Sequence, residues 1–342
     1  MQVSMWRTSC ALLFSVSMIV SDRSFAQDRF ATSVVSYVQG TGSGIFVPTN
    51  ALGGPRGAGL GSGSGDVCTL GVGGALTLGF DVTITDGPGS DFTVFENGFL
   101  FAGQPFSEVA YVEVSTNGVD FARFPSSYVG PPNGLSGFTA PWGTYSGMTG
   151  FTPVLANVST NAIDPFDPVV SGGEGFDLAR LTGDPLVVAG VVDVSQIHFV
   201  RIVDVPHQSG LDSAGHVVYD NSGATGTADI DAVAVTQHLG LVNALQPTVD
   251  LFVDSQGHLN LRLEDPNGFL DLDQSQLLVS FNAIPTSATR LRGLLPVLTT
   301  TPNGIVLRSL QPIVGSGRYG VLSVSVKDFA GDFSADQIVL QG

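Results

Sequence analysis

The feature that most constrains the fold is a series of short apolar runs, each bounded by glycine, proline, asparagine or aspartate. In the first two thirds of the chain these runs lie at residues 75–84, 92–95, 110–115, 197–203 and 230–236. They alternate or are rich in β-branched side chains, which is typical of strands, and helix signals are nearly absent. We therefore predict an all-β protein of the sandwich type, in which many of the 44 glycines supply turns.

A second series of runs follows a break in the pattern near residues 239–247. New strands are predicted at residues 249–253, 259–263, 276–281, 304–309 and 320–327. The length also suits two domains of ordinary size. We predict a larger domain at residues 27–240 and a smaller sandwich at residues 247–342. The glycine-rich residues 40–74 should form a long loop with at most one strand.

The first 26 residues have the pattern of a secretory signal peptide. Arg7 precedes an apolar run at residues 10–20, and Ser24-Phe25-Ala26 offers the small residues of a cleavage site. The run is shorter than the roughly 20 residues that cross a bilayer, so we expect no transmembrane anchor. We predict secretion, to the cell surface or medium or into the periplasm. A mature chain from Gln27 would keep Cys68 as its single cysteine, which excludes an internal disulfide.

The charge is strongly acidic, with 30 aspartates and glutamates against 13 lysines and arginines. Such a surface repels phosphate backbones, so we predict no nucleic-acid partner. The acidity fits either calcium binding or solubility outside the cell.

Two aspartates stand in the predicted strand at residues 228–235. Asp229 and Asp231 are two residues apart, so alternation places them on one side of the strand, where a cation, an arginine or backbone donors must meet their charge. Calcium takes six to eight oxygen ligands, and this spacing is compatible with it. The alternative is structural: one aspartate caps the strand and the other pairs with Arg201.

Two further acidic segments extend the predicted calcium site. Asp91 begins a strand that ends in Glu96-Asn97-Gly98, and Asp177 follows the glycine-rich residues 172–175. We predict Asp91, Asp177, Asp229 and Asp231 as metal ligands, and Glu96 and Asn97 as ligands of sugar hydroxyls or a metal. An ordinary turn and a flexible connector are the alternatives for these two segments.

Two aromatic residues lie in a glycine- and proline-rich segment at residues 134–153, which we predict to be a long loop. Exposed rings on loops stack on sugars or contact proteins, so Trp142 and Tyr145 are predicted ligand-binding residues. Burial against the sandwich is the alternative.

Signatures of catalysis are absent from the sequence. There is no Gly-x-Ser-x-Gly elbow, no His-Glu-x-x-His helix and no phosphate-binding loop, and the five histidines have no ligand spacing. A glycan hydrolase that uses two of the carboxylates is a minority alternative. We therefore predict a protein that is not an enzyme.

Several motifs resemble known families. Residues 112–121 and 197–202 resemble strands of galactose-binding-like jelly rolls, which include discoidin-type and carbohydrate-binding modules. Residues 86–99, 176–178 and 229–233 are similar to a group of bacterial secreted, cell-surface proteins. Residues 272–282 and 323–332 resemble bacterial immunoglobulin-like surface modules.

The resemblance implies a jelly roll followed by an immunoglobulin-like domain, and a binding or spacer role. Many members of the bacterial group end in a sorting signal, whereas this sequence ends in Gln341-Gly342, so free secretion is an alternative to surface attachment. We expect a non-catalytic module that recognises a glycan or a cell-surface protein and carries structural calcium. A purely structural or adhesive spacer is the second hypothesis.

Overall fold

The computed structural model describes residues 29–42, 46–131, 139–220, 226–239, 247–264, 277–301, 304–317, 319–327 and 333–341. Strands dominate these residues, so the prediction of an all-β protein is confirmed. The predicted signal peptide and most of the predicted break between the domains lie outside them. Among the described residues, no helix has the length and apolar character needed to cross a bilayer.

The described residues before residue 240 form sixteen strands. They are β1 (Ser33–Val38), β2 (Cys68–Thr69), β3 (Ala75–Ile84), β4 (Phe92–Glu96), β5 (Phe99–Phe101), β6 (Gln104–Phe106), β7 (Ala110–Ser115), β8 (Ala122–Arg123), β9 (Ser127–Tyr128), β10 (Tyr145–Ser146), β11 (Met148–Thr149), β12 (Glu174–Phe176), β13 (Ile197–Asp204), β14 (Gly210–Leu211), β15 (Val217–Val218) and β16 (Asp229–Val235).

Two antiparallel sheets enclose the main core of this part. The large sheet has the order β1-β3-β13-β7-β11, with β8 also paired to β7, and the small sheet has the order β12-β4-β16-β2. Alternate side chains of both sheets enter one cluster, for example Leu76 and Val200 from the large sheet and Phe92 and Val233 from the small one. Burial of each such side chain stabilises the folded state by about 1.5–3 kcal/mol relative to leaving it exposed. This preference decides which face of each strand turns towards the core.

The small sheet is buried on both faces. Its outer face carries Phe95, Ala232 and Ala234, which pack with Phe30 and Phe166 from covering segments. Every residue of β4 is therefore buried. Any carboxylate on β4 or β16 consequently needs a partner inside the protein.

The helical segments are short. They are the 3-10 turns Pro48–Ala51 and Leu178–Leu181 and the helices α1 (Pro168–Ser171), α2 (Pro185–Val188) and α3 (Ala288–Leu294). An aspartate caps three of them by accepting a backbone N–H: Asp167 at α1, Asp177 at the turn Leu178–Leu181, and Asp184 at α2. Such caps satisfy donors that the first turn leaves free.

In the described part of the chain after residue 247 there are eight strands. They are β17 (Thr248–Val253), β18 (Leu259–Glu264), β19 (Leu277–Phe281), β20 (Ile284–Thr286), β21 (Val297–Thr301), β22 (Gly304–Arg308), β23 (Gly320–Lys327) and β24 (Phe333–Leu340). They form two four-stranded sheets, β17-β18-β22-β21 and β20-β19-β23-β24, which share a second core.

The second group of sheets packs directly on the first. Ala335 of β24 forms an isolated parallel bridge with Gly89, and its carbonyl accepts the Ser90 N–H at 2.8 Å. The Gln337 side chain accepts the Gly175 N–H at 2.9 Å and donates to the Gly173 carbonyl at 3.3 Å. The two groups of sheets are thus joined by hydrogen bonds as well as by the chain.

Candidate metal centre

Three aspartates converge at one end of the small sheet. One carboxylate oxygen from each of Asp86, Asp91 and Asp177 lies within 4.8 Å of the others. We call this group the aspartate triad. It contains two of the four predicted metal ligands.

Strand pairing explains the convergence of Asp91 and Asp177. Strand β12 pairs antiparallel with β4, and the pair Phe176↔Phe92 closes that ladder. Asp177 and Asp91 are the next residues on the two strands, so they lie opposite each other. Asp86 belongs to the turn that precedes Asp91, and the Gly87 N–H donates to Asp91 Oδ1 at 2.8 Å.

Backbone donors hold two of the three carboxylates. Asp91 Oδ2 accepts the Leu178 N–H at 2.6 Å, and Asp177 Oδ1 accepts the Ala179 N–H at 2.8 Å. Asp91 is buried, Asp177 is partly buried and Asp86 is exposed. The exposed Asp86 therefore lies beside two carboxylates that backbone donors hold in place.

The electrostatics of the triad disfavour three bare negative charges. Burial raises the pKa of Asp91 well above its usual range, and the neighbouring Asp177 and Asp86 raise it further, against the two backbone hydrogen bonds. Burial raises the pKa of Asp177 to about 6 and also raises the pKa of Asp86. A bound cation would relieve both the desolvation and the mutual repulsion.

The donor set of the triad consists of oxygen atoms alone. Such ligands suit hard cations such as Ca²⁺ and Mg²⁺, whereas zinc favours histidine and cysteine. Three carboxylates supply only part of the calcium shell, which carbonyls and water complete at many protein sites. The residues therefore fit a calcium ion.

Arg180 connects the triad with the second group of sheets. It follows the Asp177 cap, and its charge lowers the pKa of Asp177 against the larger effect of burial. Arg180 Nη2 donates to the Gln337 carbonyl at 3.1 Å and lies 3.9 Å from Oδ1 of the buried Asp336. Burial raises the pKa of Asp336 to about 7.

The predicted ligand Asp229 lies in a different group, with Glu96 and Asn97. The Asp229 N–H donates to Glu96 Oε1 at 3.0 Å, and the Asn97 N–H donates to the Asp229 carbonyl at 2.9 Å. The Asp229 carboxylate accepts a short hydrogen bond from the Thr69 hydroxyl. Burial raises the pKa of Glu96 well above its usual range, and Glu108 and Asp229 raise it further.

Asn97 binds the loop that covers it. Its side chain accepts a short hydrogen bond from the Ser64 N–H and donates to the Ser64 carbonyl at 2.9 Å. Glu96 is 2% exposed. Both side chains therefore contribute to local structure, and their prediction as sugar ligands stays a prediction.

Asp231 belongs to neither of these two groups and lies near Asp66, whose charge raises the pKa of Asp231. Both of its carboxylate oxygens accept the Arg56 N–H, at 3.0 and 2.8 Å, and burial raises its pKa to about 7. A bulge interrupts the β16–β4 ladder between Ile230 and Ala232. Asp229 and Asp231 accordingly have separate hydrogen-bond partners.

The alternative that Arg201 pairs with one of these aspartates is wrong. Arg201 Nε instead donates to Glu113 Oε2, on the neighbouring strand of the large sheet. The two aspartates lie on the small sheet, on the other side of the core.

The predicted loop aromatics are buried. Trp142 is 8% and Tyr145 1% exposed, within a cluster that includes Phe151 and Val321. The Tyr145 hydroxyl donates to the Tyr219 carbonyl at 2.6 Å. Their placement matches the burial alternative and leaves neither ring on the surface for stacking.

Two carboxylates with defined roles were not among the predicted site residues. Asp86 opens the turn that leads to Asp91, and the stretch Asp86-Gly87-Pro88-Gly89 was a readable turn signal for it. Glu174 is fully enclosed and accepts four hydrogen bonds, from the Thr149 hydroxyl and the backbone N–H groups of Gly150, Phe151 and Thr152. Its sequence context of flanking glycines gave no sign of those donors.

Comparison with known proteins adds no assignment: a scan against protein-family models and a search of curated proteins both gave no match.

Proposed function

We propose that this protein is a secreted, non-catalytic binding module of a bacterial surface or envelope, with a jelly-roll domain that a structural calcium ion stabilises. The observation that carries the calcium part is the aspartate triad, because two of its carboxylates are held by backbone donors and the third opens to solvent. The immunoglobulin-like identity of the second part and the recognition of a glycan or surface protein belong to the same proposal.

Burial argues against the hydrolase alternative for the pair Glu96 and Glu174. Glu96 and Glu174 are each 2% exposed. A glycosidase needs its acid and its nucleophile or base on either side of a bound sugar. A sugar that approaches from solvent could not contact either of these two buried side chains.

Thermal melting tests the calcium site. At a calcium concentration 100 times the dissociation constant, a site that exists only in the folded state stabilises that state by about 2.7 kcal/mol. For a folding unit of about 200 residues, close to the size of the predicted first domain, that corresponds to a rise of roughly 5–10 °C in melting temperature relative to EDTA. The variants Asp86→Asn, Asp91→Asn and Asp177→Asn should each lose most of this rise.

Asp184→Asn is the matched control for Asp177→Asn. Asp184 caps α2 through the Leu186 N–H, as Asp177 caps its own turn, but it is not part of the triad. The control should keep the full calcium response. A wild-type protein that melts at the same temperature in calcium and in EDTA would refute the site. Asp86→Asn alters an exposed side chain, so a folding defect would not account for its loss of the calcium response.

A glycan array in calcium separates the binding proposal from the spacer alternative. Binding to a defined glycan class supports recognition. A blank array together with an intact calcium response would favour a structural or adhesive spacer.

A further inference from the structure

The outer face of the large sheet carries a row of polar side chains across five strands. The register aligns Ser36 with Thr77, Thr77 with Arg201, Arg201 with Glu113, and Glu113 with Arg123. Residues on either side of them in sequence, such as Leu76 and Val200, point into the core. We call Arg123, Glu113 and Arg201 the arginine row.

The arginine row holds two cations and one anion. Arg123 Nε donates to Glu113 Oε1 at 2.7 Å, and Arg201 Nε donates to the other carboxylate oxygen, Glu113 Oε2. Both guanidinium groups thus share a single carboxylate and leave one positive charge in excess. This excess lies on a chain whose formal net charge is −17.

Aromatic rings fix both guanidinium groups in place. The Arg201 guanidinium carbon lies 3.7 Å from the centre of the Phe121 ring, and that of Arg123 lies 4.3 Å from the centre of the Tyr111 ring. Their side chains nevertheless remain 33% and 45% exposed. A ligand therefore meets oriented donors that lose little conformational freedom on binding.

The row forms the floor of an open groove of about 360 Å³. Val35, Val38 and Val203 line it beside the arginines, and Val35 and Val38 are 48% and 61% exposed. The groove thus combines apolar walls with a positively charged floor and the hydroxyls of Ser36 and Thr77.

We propose that this groove binds a polysaccharide that carries carboxylates, a polyuronate. A uronate carboxylate can accept paired hydrogen bonds from a guanidinium group, and the apolar faces of the sugar rings can lie on the valines. This inference rests on the proposed function of glycan recognition and names its ligand class.

The sheet face favours a sugar chain over an acidic peptide. The backbone groups of β3, β13 and β7 pair within the sheet, so the groove floor offers side chains and no free ladder for an added strand. Recognition through hydroxyls and guanidinium groups matches the hydroxyls and carboxylates of a uronate.

Calorimetry with a galacturonic acid trisaccharide and the neutral galactose trisaccharide tests the proposal, in one calcium-containing buffer. The acidic sugar should bind, more weakly as salt rises, and the neutral sugar should bind at least tenfold more weakly. Arg123→Gln and Arg201→Gln should each weaken binding of the acidic sugar about tenfold, as expected for one charge-assisted interaction.

Arg262→Gln is the matched control for those changes. Arg262 is also exposed, lies 5.4 Å from the centre of the Phe252 ring and faces Asp250, but it belongs to the second group of sheets. It removes the same charge and should leave binding unchanged. Val38→Asp provides an independent variant at an exposed position and should also weaken binding, even if an arginine variant folds poorly.

Besides a failure of the acidic sugar to bind, three results would overturn the proposal. They are equal binding of the two trisaccharides, an equal loss in Arg262→Gln, and competition by a glutamate oligomer as strong as that by the uronate. If the uronate does not bind while another glycan does on the array, the proposed function stands and the polyuronate inference fails.

Discussion

Glu174 and Asp91 are both buried carboxylates at the β12–β4 ladder, but their surroundings differ. Glu174 accepts four hydrogen bonds, which occupy both of its oxygens. Asp91 accepts two and lies beside two other carboxylates. Burial raises the pKa of both groups, yet the hydrogen bonds at Glu174 lower it, whereas Asp177 and Asp86 raise that of Asp91.

This difference distinguishes a structural carboxylate from a candidate ligand. Four donors compensate the charge of Glu174 within the fold, so it has no need of a cation. The triad gathers more negative charge than its donors offset, and a cation is the partner that would balance it. Burial alone does not identify a metal ligand; the ratio of donors to carboxylates does.

The largest effect should come from removing Glu174. Glu174→Ala leaves three backbone N–H groups and the Thr149 hydroxyl without their acceptor in a buried site. We expect a loss of about 4 kcal/mol in the free energy of unfolding, measured by urea titration in EDTA.

Glu264→Ala is a suitable control for this change, because Glu264 ends a strand and is only partly buried. It should shift the free energy of unfolding by no more than about 0.5 kcal/mol. An equally small effect for Glu174→Ala would break the distinction between the two kinds of carboxylate.

A medium effect should appear in the pH dependence of the calcium-free protein. The pKa of Asp177 is about 6 in the folded chain against an ordinary 3.8, so the folded state binds the proton more tightly than the unfolded state. The contribution of Asp177 to the free energy of unfolding is therefore present at low pH and is lost as the pH rises from about 4 to 7. We expect about 2 kcal/mol less stability from Asp177 at pH 8 than at pH 4, after allowance for its partial exposure.

Comparison with Asp177→Asn isolates this contribution. Asp231, with a pKa of about 7, gives the same slope in both proteins. Asp177 raises the pKa of Asp336, so the difference between the two urea series reports Asp177 together with the carboxylates that its charge affects. Calcium should stabilise the wild type more at pH 8 than at pH 5, because it competes with protons. Parallel pH profiles for the wild type and the variant would contradict the prediction.

The smallest effect should come from taking away one donor. Thr149→Val removes the hydroxyl that donates to Glu174 at 2.8 Å and retains the three backbone donors. We expect a loss of about 1 kcal/mol by urea titration. If Thr149→Val lowered the free energy of unfolding as much as Glu174→Ala does, the four donors would not contribute jointly to compensating the Glu174 charge.

All ten strands predicted from the sequence are present, whereas the two- and three-residue strands and longer ones such as β1 and β21 were not predicted. Predicted strands at residues 75–84 and 110–115 coincide with β3 and β7, and those at 197–203 and 320–327 differ from β13 and β23 by a residue or less. Alternation and turn residues are local properties, so they can be read without knowing the fold. Strand β24, which was not predicted, mixes buried polar residues such as Asp336 and Gln337 with apolar ones, because it packs against the first group of sheets.

The triad could be predicted only in part. The sequence predicts Asp91 and Asp177 as ligands from two separate acidic segments, but they meet because Phe176 pairs with Phe92, and that register is not visible in one sequence. The same limit grouped Asp229 with Asp231, since a bulge and separate partners in the folded chain distinguish them. The pairing of Arg201 with Glu113 likewise depends on the register between two neighbouring strands, which the sequence does not show.

The contact between β24 and the first group of sheets has a mechanical consequence. Ala335 and Gln337 bond directly to the segments around Gly89 and Gly175, which adjoin Asp91 and Asp177 in sequence. A pulling force applied at the C-terminal end is therefore carried into the first sheets by hydrogen bonds loaded side by side, and not by the connecting chain alone. An ion that clamps Asp91 to Asp177 would reinforce the anchor point at which that load arrives.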